Sequence, residues 1–326
     1  MFPANDPALD ALARGEERLA STYRLVSPPR ELASYFLDKE RMLEVARAVG
    51  VEAPRDYGPA VRATAARTDL AFPVVVKPSV GYRFFPHFGC KLLVARDRAE
   101  LDRCVARVEA TGLRGRVFDL VPGADDSIYA YCTYVGPRGE PLGGMTIRKL
   151  RQAPASFGVA RVAEVVDDEP TPREATLAIL RHIGFRGIAC AEFKRDPRDG
   201  RFRFFEVNGR SVIYNALLRR AGLDVAALAW TDQVAGAPAR CRPNGWRGVW
   251  INLHADVLHS LAYGADRPRL GAFLAPYRRP KVHAVWSATD PAPFALEWAR
   301  TLRAGGAALA RGALRARLAE HNPLAR

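Results

Sequence analysis

One hairpin constrains this chain more than any other feature. Residues 192–210 read EFKRDPRDGRFRFFEVNGR, in which two apolar-rich runs flank the turn signal DPRDG and each run carries one glutamate. A β-strand places alternate residues on the same face. The two runs therefore predict paired strands whose shared faces are Cys190, Glu192 and Lys194 on the first, and Phe202, Phe204, Glu206 and Asn208 on the second.

The two glutamates of this hairpin indicate a metal site. A register that sets Glu192 across from Glu206 is allowed, although the sequence does not fix it. Two facing carboxylates repel each other, and in apolar surroundings one of them would take up a proton. A divalent cation removes this conflict, and carboxylate and amide oxygens suit Mg²⁺. The alternative is a surface hairpin with solvated acids, which fits poorly with the sequence FRFF before Glu206.

Length and composition set broad limits on the protein class. The chain has 326 residues, 48% of them hydrophobic, which is enough for a sizeable core in two or three lobes. No apolar run approaches the roughly 20 residues that cross a bilayer, and the acidic N-terminus is not a secretory signal. Five scattered cysteines without a CxxC pair predict neither a zinc site nor a disulfide framework. We therefore expect a cytoplasmic protein.

The basic charge rests almost entirely on arginine. The formal net charge is +14, and the chain has 43 arginines but only six lysines. Such an Arg- and Ala-rich composition indicates a general compositional bias, with acidic substrates, an anionic membrane surface or nucleic acid as alternatives. Because arginine is the default cation, each lysine is more informative. The six are Lys39, Lys77, Lys91, Lys149, Lys194 and Lys281.

The pattern along the chain predicts an α+β fold with an antiparallel sheet flanked by helices. A short strand end and a helix are expected over residues 2–24, with Asp6 as the cap, and the stretch at 78–89 reads as irregular. The other predicted helices are 38–50, 98–111, 171–183, 211–221, 225–235 and a basic helix at 294–320. The predicted strands are 72–77, 91–95, 117–121, 127–135, 142–150 and the two strands of the opening hairpin.

Several motifs in one order resemble the ATP-grasp superfamily of carboxylate–amine ligases over residues 31–238. Glu206 and Asn208 followed by Arg210 resemble the metal-binding end of that family. Lys39 in LDKERMLEVARAVGVEAP resembles its lysine near a helix start, and Lys77 in FPVVVKP its lysine at a strand end. The run VFDLVPG at 117–123 resembles its hinge strand. TIRKLRQ at 146–152 and FG at 157–158 resemble the predicted carboligase branch, which includes D-aspartate ligase-like enzymes.

The resemblance implies a role for each matching residue. Lys39 and Lys77 would neutralise phosphates of ATP, and Arg210 would stabilise charge on the transferred phosphoryl group. An arginine fork at Arg148 and Arg151, beside Lys149, would bind a carboxylate or phosphate substrate, although alternation lets at most two of these three point inward. The remaining contacts would be Asp119, Leu120 and Val121 for adenine, Asp126 or Asp125 for ribose, and Glu192, Glu206 and Asn208 for Mg²⁺.

Two motifs depart from the family pattern. Phe118-Asp119 stands where the family has Gln-Glu at the hinge. The phosphate loop has only Gly81 and Gly89, and it offers the cations Arg83 and Lys91 in place of further glycines.

The resemblance implies two α+β lobes that clasp a nucleotide, after a truncated pre-ATP-grasp segment. The expected units are 1–30 as a remnant of that preceding lobe, 31–238 as the ATP-grasp domain with lobes 31–120 and 121–238, and 239–326 as a C-terminal extension. Whether the short N-terminus is a true truncation or a misassigned start stays open.

The implied function is an ATP- and Mg²⁺-dependent ligase that joins a carboxylate to an amine through an acyl phosphate. The alternatives are a nucleotide-binding protein without turnover and a basic membrane-surface protein. We expect small-molecule carboxylate and amine partners, and no nucleic acid because aromatic-basic RNA motifs are missing. A weak membrane contact through the C-terminal helix and a homodimer stay open.

Overall fold

Two β-sheets organise the chain in the computed structural model, which describes residues 1–236, 240–262 and 268–309. The α-helices are α1 (Asp6–Arg14), α2 (Glu16–Ala20), α3 (Arg30–Leu37), α4 (Lys39–Ala48), α5 (Arg62–Ala65), α6 (Gly81–Phe88), α7 (Arg98–Glu109), α8 (Pro170–His182), α9 (Asn215–Arg220), α10 (Val225–Trp230), α11 (Leu253–Ala262), α12 (Leu270–Leu274) and α13 (Ala292–Leu309). The strands are β1 (Asp56–Pro59), β2 (Val74–Pro78), β3 (Leu93–Ala95), β4 (Gly115–Asp119), β5 (Ile128–Val135), β6 (Pro141–Ala153), β7 (Val159–Val165), β8 (Gly187–Arg195), β9 (Phe202–Asn208), β10 (Val249–Ile251) and β11 (Lys281–His283).

The smaller sheet has four antiparallel strands in the order β1-β4-β2-β3. Its central strand β2 is buried on both faces, as its run of three valines predicts. Val74 and Val76 pack in one core cluster with Leu101 and Val105 of α7. Val75 packs on the opposite face, in a second cluster. The sheet therefore has a helix-covered side and a side that faces the rest of the chain.

The larger sheet has seven strands in the order β11-β10-β7-β6-β5-β8-β9. All neighbouring strands are antiparallel except β10 and β11, which are parallel. Tyr214 and Leu228, from the α9–α10 region, pack on one face. Phe36 of α3, Met42 of α4 and Ile179 of α8 pack in a separate cluster that contains the alternate residues of β8 and β9. Both faces of this sheet are therefore covered.

Helix α4 shows how the local sequence sets an element of the site. Asp38 caps its N-terminus and accepts a hydrogen bond from the Glu40 N–H at 3.0 Å. Gly50 follows two residues after the last residue of the helix, Ala48, and its φ of +75° places it in the left-handed region. The Val51 N–H then donates to the Ala46 carbonyl at 2.8 Å and closes the C-terminus. The predicted helix at 38–50 is thus formed, with Lys39 as its first residue.

The α+β class is confirmed, and two local predictions are wrong. The stretch at 78–89, expected to be irregular, contains the helix α6 despite Pro86, because Phe84 is fully buried and stacks on Phe88 with ring centres 4.0 Å apart. No strand forms within residues 1–24, and Asn5 rather than Asp6 caps α1. Residues 310–320 of the predicted basic helix lie outside the described residues.

The segment after residue 238 contributes to the larger sheet. Strand β10 pairs with β7, with Trp250 opposite Ala163, and β11 pairs with β10. Helix α11 packs on the same region, and its buried Asp256 forms an ion pair with Arg151 of β6. Among the helices of the described ranges, none combines the length and the apolar character needed to cross a membrane. The proposed domain limit at 238 stays a prediction.

Candidate active site in the cleft between the sheets

A cleft lies between the two sheets and is lined by residues of both. It gathers five of the six lysines in the sequence. The polar and charged residues that line it are Lys39, Lys77, Lys91, Asp119, Lys149, Gln152, Ser156, Glu192, Lys194 and Glu206. With five lysines against three acids, the described lining is suited to an anionic ligand.

The two glutamates of the hairpin lie directly opposite each other on adjacent strands. Glu192 of β8 pairs with Glu206 of β9, so the register that the sequence allowed is the one formed. A β-bulge follows at once, because Phe193 pairs with Phe204 and leaves Phe205 as an extra residue. As a result Phe205 and Glu206 both line the cleft, although they are consecutive.

This bulge corrects the predicted strand face. The sequence pattern placed Phe202 and Phe204 on the same face as Glu206. Both phenylalanines instead pack in the core cluster on the other side, where the rings of Phe204 and Phe193 lie 5.6 Å apart. Simple alternation fails here because the extra residue shifts the face by one position.

A lysine neutralises each of the paired carboxylates. The Lys39 ammonium donates a hydrogen bond to Glu206, and the Lys149 ammonium lies 2.7 Å from Glu192. The Lys39 N–H also donates to the Ser79 carbonyl at 2.8 Å, just beyond β2. This contact joins the start of α4 to the end of β2 and brings Lys39 close to Lys77.

The electrostatics of the cleft depend on this crowding of cations. The Lys39 ammonium is the main reason why the pKa of the Glu206 carboxyl lies well below its usual range. Burial acts in the opposite direction and raises this pKa. Burial acts to lower the pKa of Lys39, but the Glu206 carboxylate outweighs it and the pKa is raised. Lys77 differs, because burial, with repulsion from Lys39, lowers its pKa to about 8. Its ammonium lies 4.1 Å from the centre of the Phe205 ring.

The oxygen donors at this end of the cleft fit the ligand set that Mg²⁺ takes. Glu192 and Glu206 supply facing carboxylates to the cleft. Asn208 lies two residues beyond Glu206 on β9, opposite Cys190, and is not among the residues that line the cleft. The Asn208 side chain makes no hydrogen bond to any other described residue. In the described ranges, no group of three or more His, Cys, Asp or Glu side chains has metal-binding geometry. A divalent ion here would therefore need oxygens from a ligand as well.

The predicted hinge lines the opposite end of the cleft. Asp119, Leu120 and Val121 all contribute to the lining. The Leu120 N–H donates weakly to the Pro73 carbonyl at 3.4 Å, whereas the Val121 N–H has no partner in the described part of the chain. The Asp119 carboxylate pairs with Arg198 at 2.8 Å. The apolar lining residues are Pro54, Val75, Leu92, Leu120, Val121, Ile128, Phe157 and Phe205.

The two acids proposed for a ribose contact, Asp125 and Asp126, differ in exposure and in hydrogen bonding. Asp126 is exposed and does not line the cleft. Asp125 accepts hydrogen bonds from the backbone N–H groups of Gln152 and Ser156, both at 2.7 Å. Asp125 therefore anchors the loop between β6 and β7 that covers the cleft. A ribose contact by Asp126 stays a prediction.

The three cations of TIRKLRQ separate onto different sides of β6. Arg148 donates to Glu164 at 2.8 Å, and Arg151 forms a two-pronged ion pair with Asp256 at 2.8 and 2.6 Å. Neither arginine lines the cleft, whereas Lys149 does. The register between β6 and β7 shifts on both sides of Arg151, so Gln152 rather than Arg151 shares the cleft face with Lys149. Substrate roles for Arg148 and Arg151 stay predictions without support from this placement.

Arg210 lies just beyond β9 and is held by the N-terminal segment. Its Nε donates to Asp6 at 2.6 Å, and Asp6 begins α1. Arg210 is not part of the cleft lining, and its role in phosphoryl transfer stays a prediction. Of the cations offered in place of a glycine-rich loop, Lys91 lines the cleft and Arg83 is exposed.

The lining residues to which sequence reasoning gave no role include Gln152, Lys194 and Phe205, and it placed Lys149 only beside the arginine fork. The rarity of lysine was the available signal for two of them, because five of only six lysines line one cleft. Nothing in the sequence marks Gln152 or Phe205, since both reach the cleft through β-bulges.

No family model matches the chain. Over 173 residues, or 51% of the chain, it is 27% identical to a D-aspartate ligase of Enterococcus faecium (strain Aus0004). The match covers 41% of that relative, so the chain spans less than half of its length.

The structural comparisons extend over more of the chain. A Campylobacter jejuni biotin carboxylase in complex with β,γ-ATP matches with a TM-score of 0.59 and 16% identity, over 75% of this chain and 55% of that one. A Bacillus licheniformis L-amino acid ligase matches with a TM-score of 0.55 and 18% identity, over 71% and 56% of the two chains. These likenesses show the fold, and the predicted resemblance to the ATP-grasp superfamily is confirmed.

Proposed function

We propose that this ATP-grasp chain is an ATP- and Mg²⁺-dependent ligase that joins a carboxylate to an amine through an acyl phosphate. The observation that carries the proposal is the cleft itself, where five lysines surround two carboxylates on facing strands. The similarity to a D-aspartate ligase and the fold shared with an L-amino acid ligase support the same class of chemistry.

In this proposal the triphosphate binds at the lysine-rich end of the cleft. Lys39, Lys77, Lys91 and Lys149 are the cations available to its phosphate oxygens. Because Lys39 and Lys149 pair with Glu206 and Glu192, each must give up or share its carboxylate when phosphate binds. The nucleobase occupies the apolar end, where the free Val121 N–H can donate to it.

The freed carboxylates define the metal-binding residues. Glu192, Glu206 and Asn208 would hold Mg²⁺, which when bound neutralises charge on the phosphates. When Mg²⁺ replaces the lysines beside Glu192 and Glu206, the charge of each carboxylate remains neutralised. Lys39 and Lys149 then gain phosphate partners, so neither they nor the two glutamates are left unpaired.

The reaction then needs positioning and charge stabilisation rather than a protein nucleophile. A carboxylate oxygen of the substrate attacks the γ-phosphorus of ATP, the bond to the β-phosphate oxygen breaks, and ADP leaves. The amine next attacks the carbonyl carbon of the acyl phosphate. Inorganic phosphate leaves, the nitrogen loses a proton, and an amide remains. Lys149 reaches the cleft face and is available to stabilise the transferred phosphoryl group.

The test is release of ADP and phosphate that depends on both substrates. D-Aspartate belongs in the amino-acid panel because the curated relative is named for it. Hydroxylamine replaces the amine in a parallel reaction, since it traps an acyl phosphate as a stable hydroxamate. We expect Mg²⁺-dependent hydroxamate formation with one carboxylate of the panel. Nucleotide binding without any substrate-stimulated ADP release would favour the non-catalytic alternative.

A further inference from the structure

We propose that Lys194 is a specificity-determining residue whose ammonium donates a hydrogen bond to an acceptor atom of the nucleobase. The inference rests on the proposed function, because it concerns the nucleotide that the cleft would bind. In this inference the nucleobase is contacted by the charged ammonium of Lys194 as well as by backbone groups of the hinge.

Lys194 is a buried ammonium without a protein partner. Its exposed fraction is only 3%, and it lines the cleft. Within the described ranges, no hydrogen bond or ion pair engages its ammonium. Asp125 and Asp196 attract it from a distance, but Asp125 is bound to the loop after β6 and Asp196 to Arg198. A charged group buried in this way needs an acceptor, and the cleft is the place where a ligand can supply one.

The position of Lys194 on β8 puts it at the base end of the cleft. It lies two residues beyond Glu192 on the same strand face, about 7 Å along the strand axis. Its partner on β5 is Ile128, the first residue of that strand, which follows the hinge at 119–121. The metal and phosphate residues cluster in the other direction, around Glu192 and Glu206. We therefore infer that Lys194 faces the apolar end of the cleft rather than the lysine-rich end where the phosphates would bind.

The chemistry of the apolar end of the cleft favours a nucleobase that accepts hydrogen bonds. The Asp119 carboxylate, the acid that lines the hinge, is occupied by Arg198. Among the described residues at this end of the cleft, two donors are left free, the Val121 N–H and the Lys194 ammonium. Purines present ring-nitrogen acceptors such as N7, so a purine meets both donors.

Calorimetric titration of the full chain with ADP, CDP and pyrophosphate, each with Mg²⁺, tests this inference. Lys194→Met keeps the length and apolar stem of the side chain and removes the donor. We expect ADP affinity to fall about tenfold and CDP affinity by less than threefold, while pyrophosphate affinity is unchanged. Lys281→Met is the matched control, because Lys281 lies outside the cleft and is exposed, and all three affinities should stay at their wild-type values.

Two results would overturn the inference. If Lys194→Met weakens ADP and pyrophosphate by the same factor, Lys194 contacts phosphate and not the base. If the ratio of ADP to CDP affinity is equal in the variant and the wild type, the residue does not read the base. Wild-type protein that binds none of the three ligands would instead refute the proposed function itself. A thermal melt of each variant excludes unfolding as the cause.

Discussion

Replacing Glu206 with glutamine should change nucleotide affinity in opposite directions with and without magnesium. The substitution keeps the size of the side chain and removes one of two facing carboxylates. In the absence of metal, Glu206 repels the phosphates of a nucleotide and also engages Lys39, so Glu206→Gln should bind ADP more tightly. In the presence of Mg²⁺, the variant lacks a metal ligand and should bind ADP less tightly.

The structure limits the size of both effects. The side chains of Glu206 and Lys39 are 30% and 37% exposed, so the cleft is neither fully aqueous nor dry. Two unit charges 4 Å apart interact by about 1 kcal/mol in water and about 4 kcal/mol at an effective dielectric constant of 20. An intermediate value of about 2 kcal/mol corresponds to roughly a 30-fold change in affinity in each direction.

Isothermal titration with ADP in EDTA and again in excess Mg²⁺ measures the two changes. Glu44→Gln is the control, because it makes the same charge change on an exposed site of α4 without touching the cleft. Folding stability should fall by no more than about 1 kcal/mol in Glu206→Gln, since the ion pair with Lys39 is half-exposed.

The sign reversal is the decisive part of the result. If Glu206→Gln lowers ADP affinity equally in EDTA and in Mg²⁺, the carboxylate does not act through a metal. If neither affinity changes beyond that of the Glu44→Gln control, phosphates do not bind beside Glu206, and the arrangement proposed for the cleft is wrong.

Three further predictions follow from the same geometry. Lys39→Met should lower affinity for ADP and for pyrophosphate by the same factor, about tenfold, in titration calorimetry; a loss confined to ADP would contradict a phosphate contact. Because the pKa of Lys77 is lowered to about 8, ADP affinity should be constant below that pH and fall by up to tenfold per pH unit above it. A pH series on Lys77→Met should show no such dependence. Arg151→Met should destabilise the fold by about 3 kcal/mol in urea denaturation, because the buried Asp256 loses its ion pair with Arg151. The same variant should change ADP affinity less than twofold. Normal stability with loss of substrate-stimulated turnover would instead favour the catalytic role predicted from the sequence.

The central hairpin shows how far strand alternation can be read from sequence. The spacing of Glu192 and Glu206 around a five-residue turn allowed facing carboxylates without fixing the register, and the structure forms that register. The pattern could not reveal the bulge at Phe205, since a bulge depends on the partner strand and on packing around it. The same limit explains why Gln152 rather than Arg151 shares the cleft face with Lys149, since the register between β6 and β7 shifts on both sides of Arg151.

Two other differences arise from tertiary contacts that no local signal carries. Pro86 and a low helix propensity argued against a helix at 81–88, but burial of Phe84 and its stacking on Phe88 outweigh those preferences. Arg148 looked like a substrate fork because nothing in the sequence identifies Glu164 as its partner. Lysine rarity, by contrast, is a compositional signal that needs no structure, and it marked the lysines as informative without showing that five of them line one cleft.

The pairing of β10 with β7 determines where the chain can be shortened. Removing everything after residue 238 would strip β7 of its neighbour and leave a row of unsatisfied backbone N–H and C=O groups along its length. The indole of Trp250, otherwise almost fully buried, would be lost from the core, and the Arg151 guanidinium would lose its counter-ion. A shortened protein of this kind should self-associate through the uncovered strand, so recombinant versions meant for crystals or kinetics need to retain the segment at least through β11.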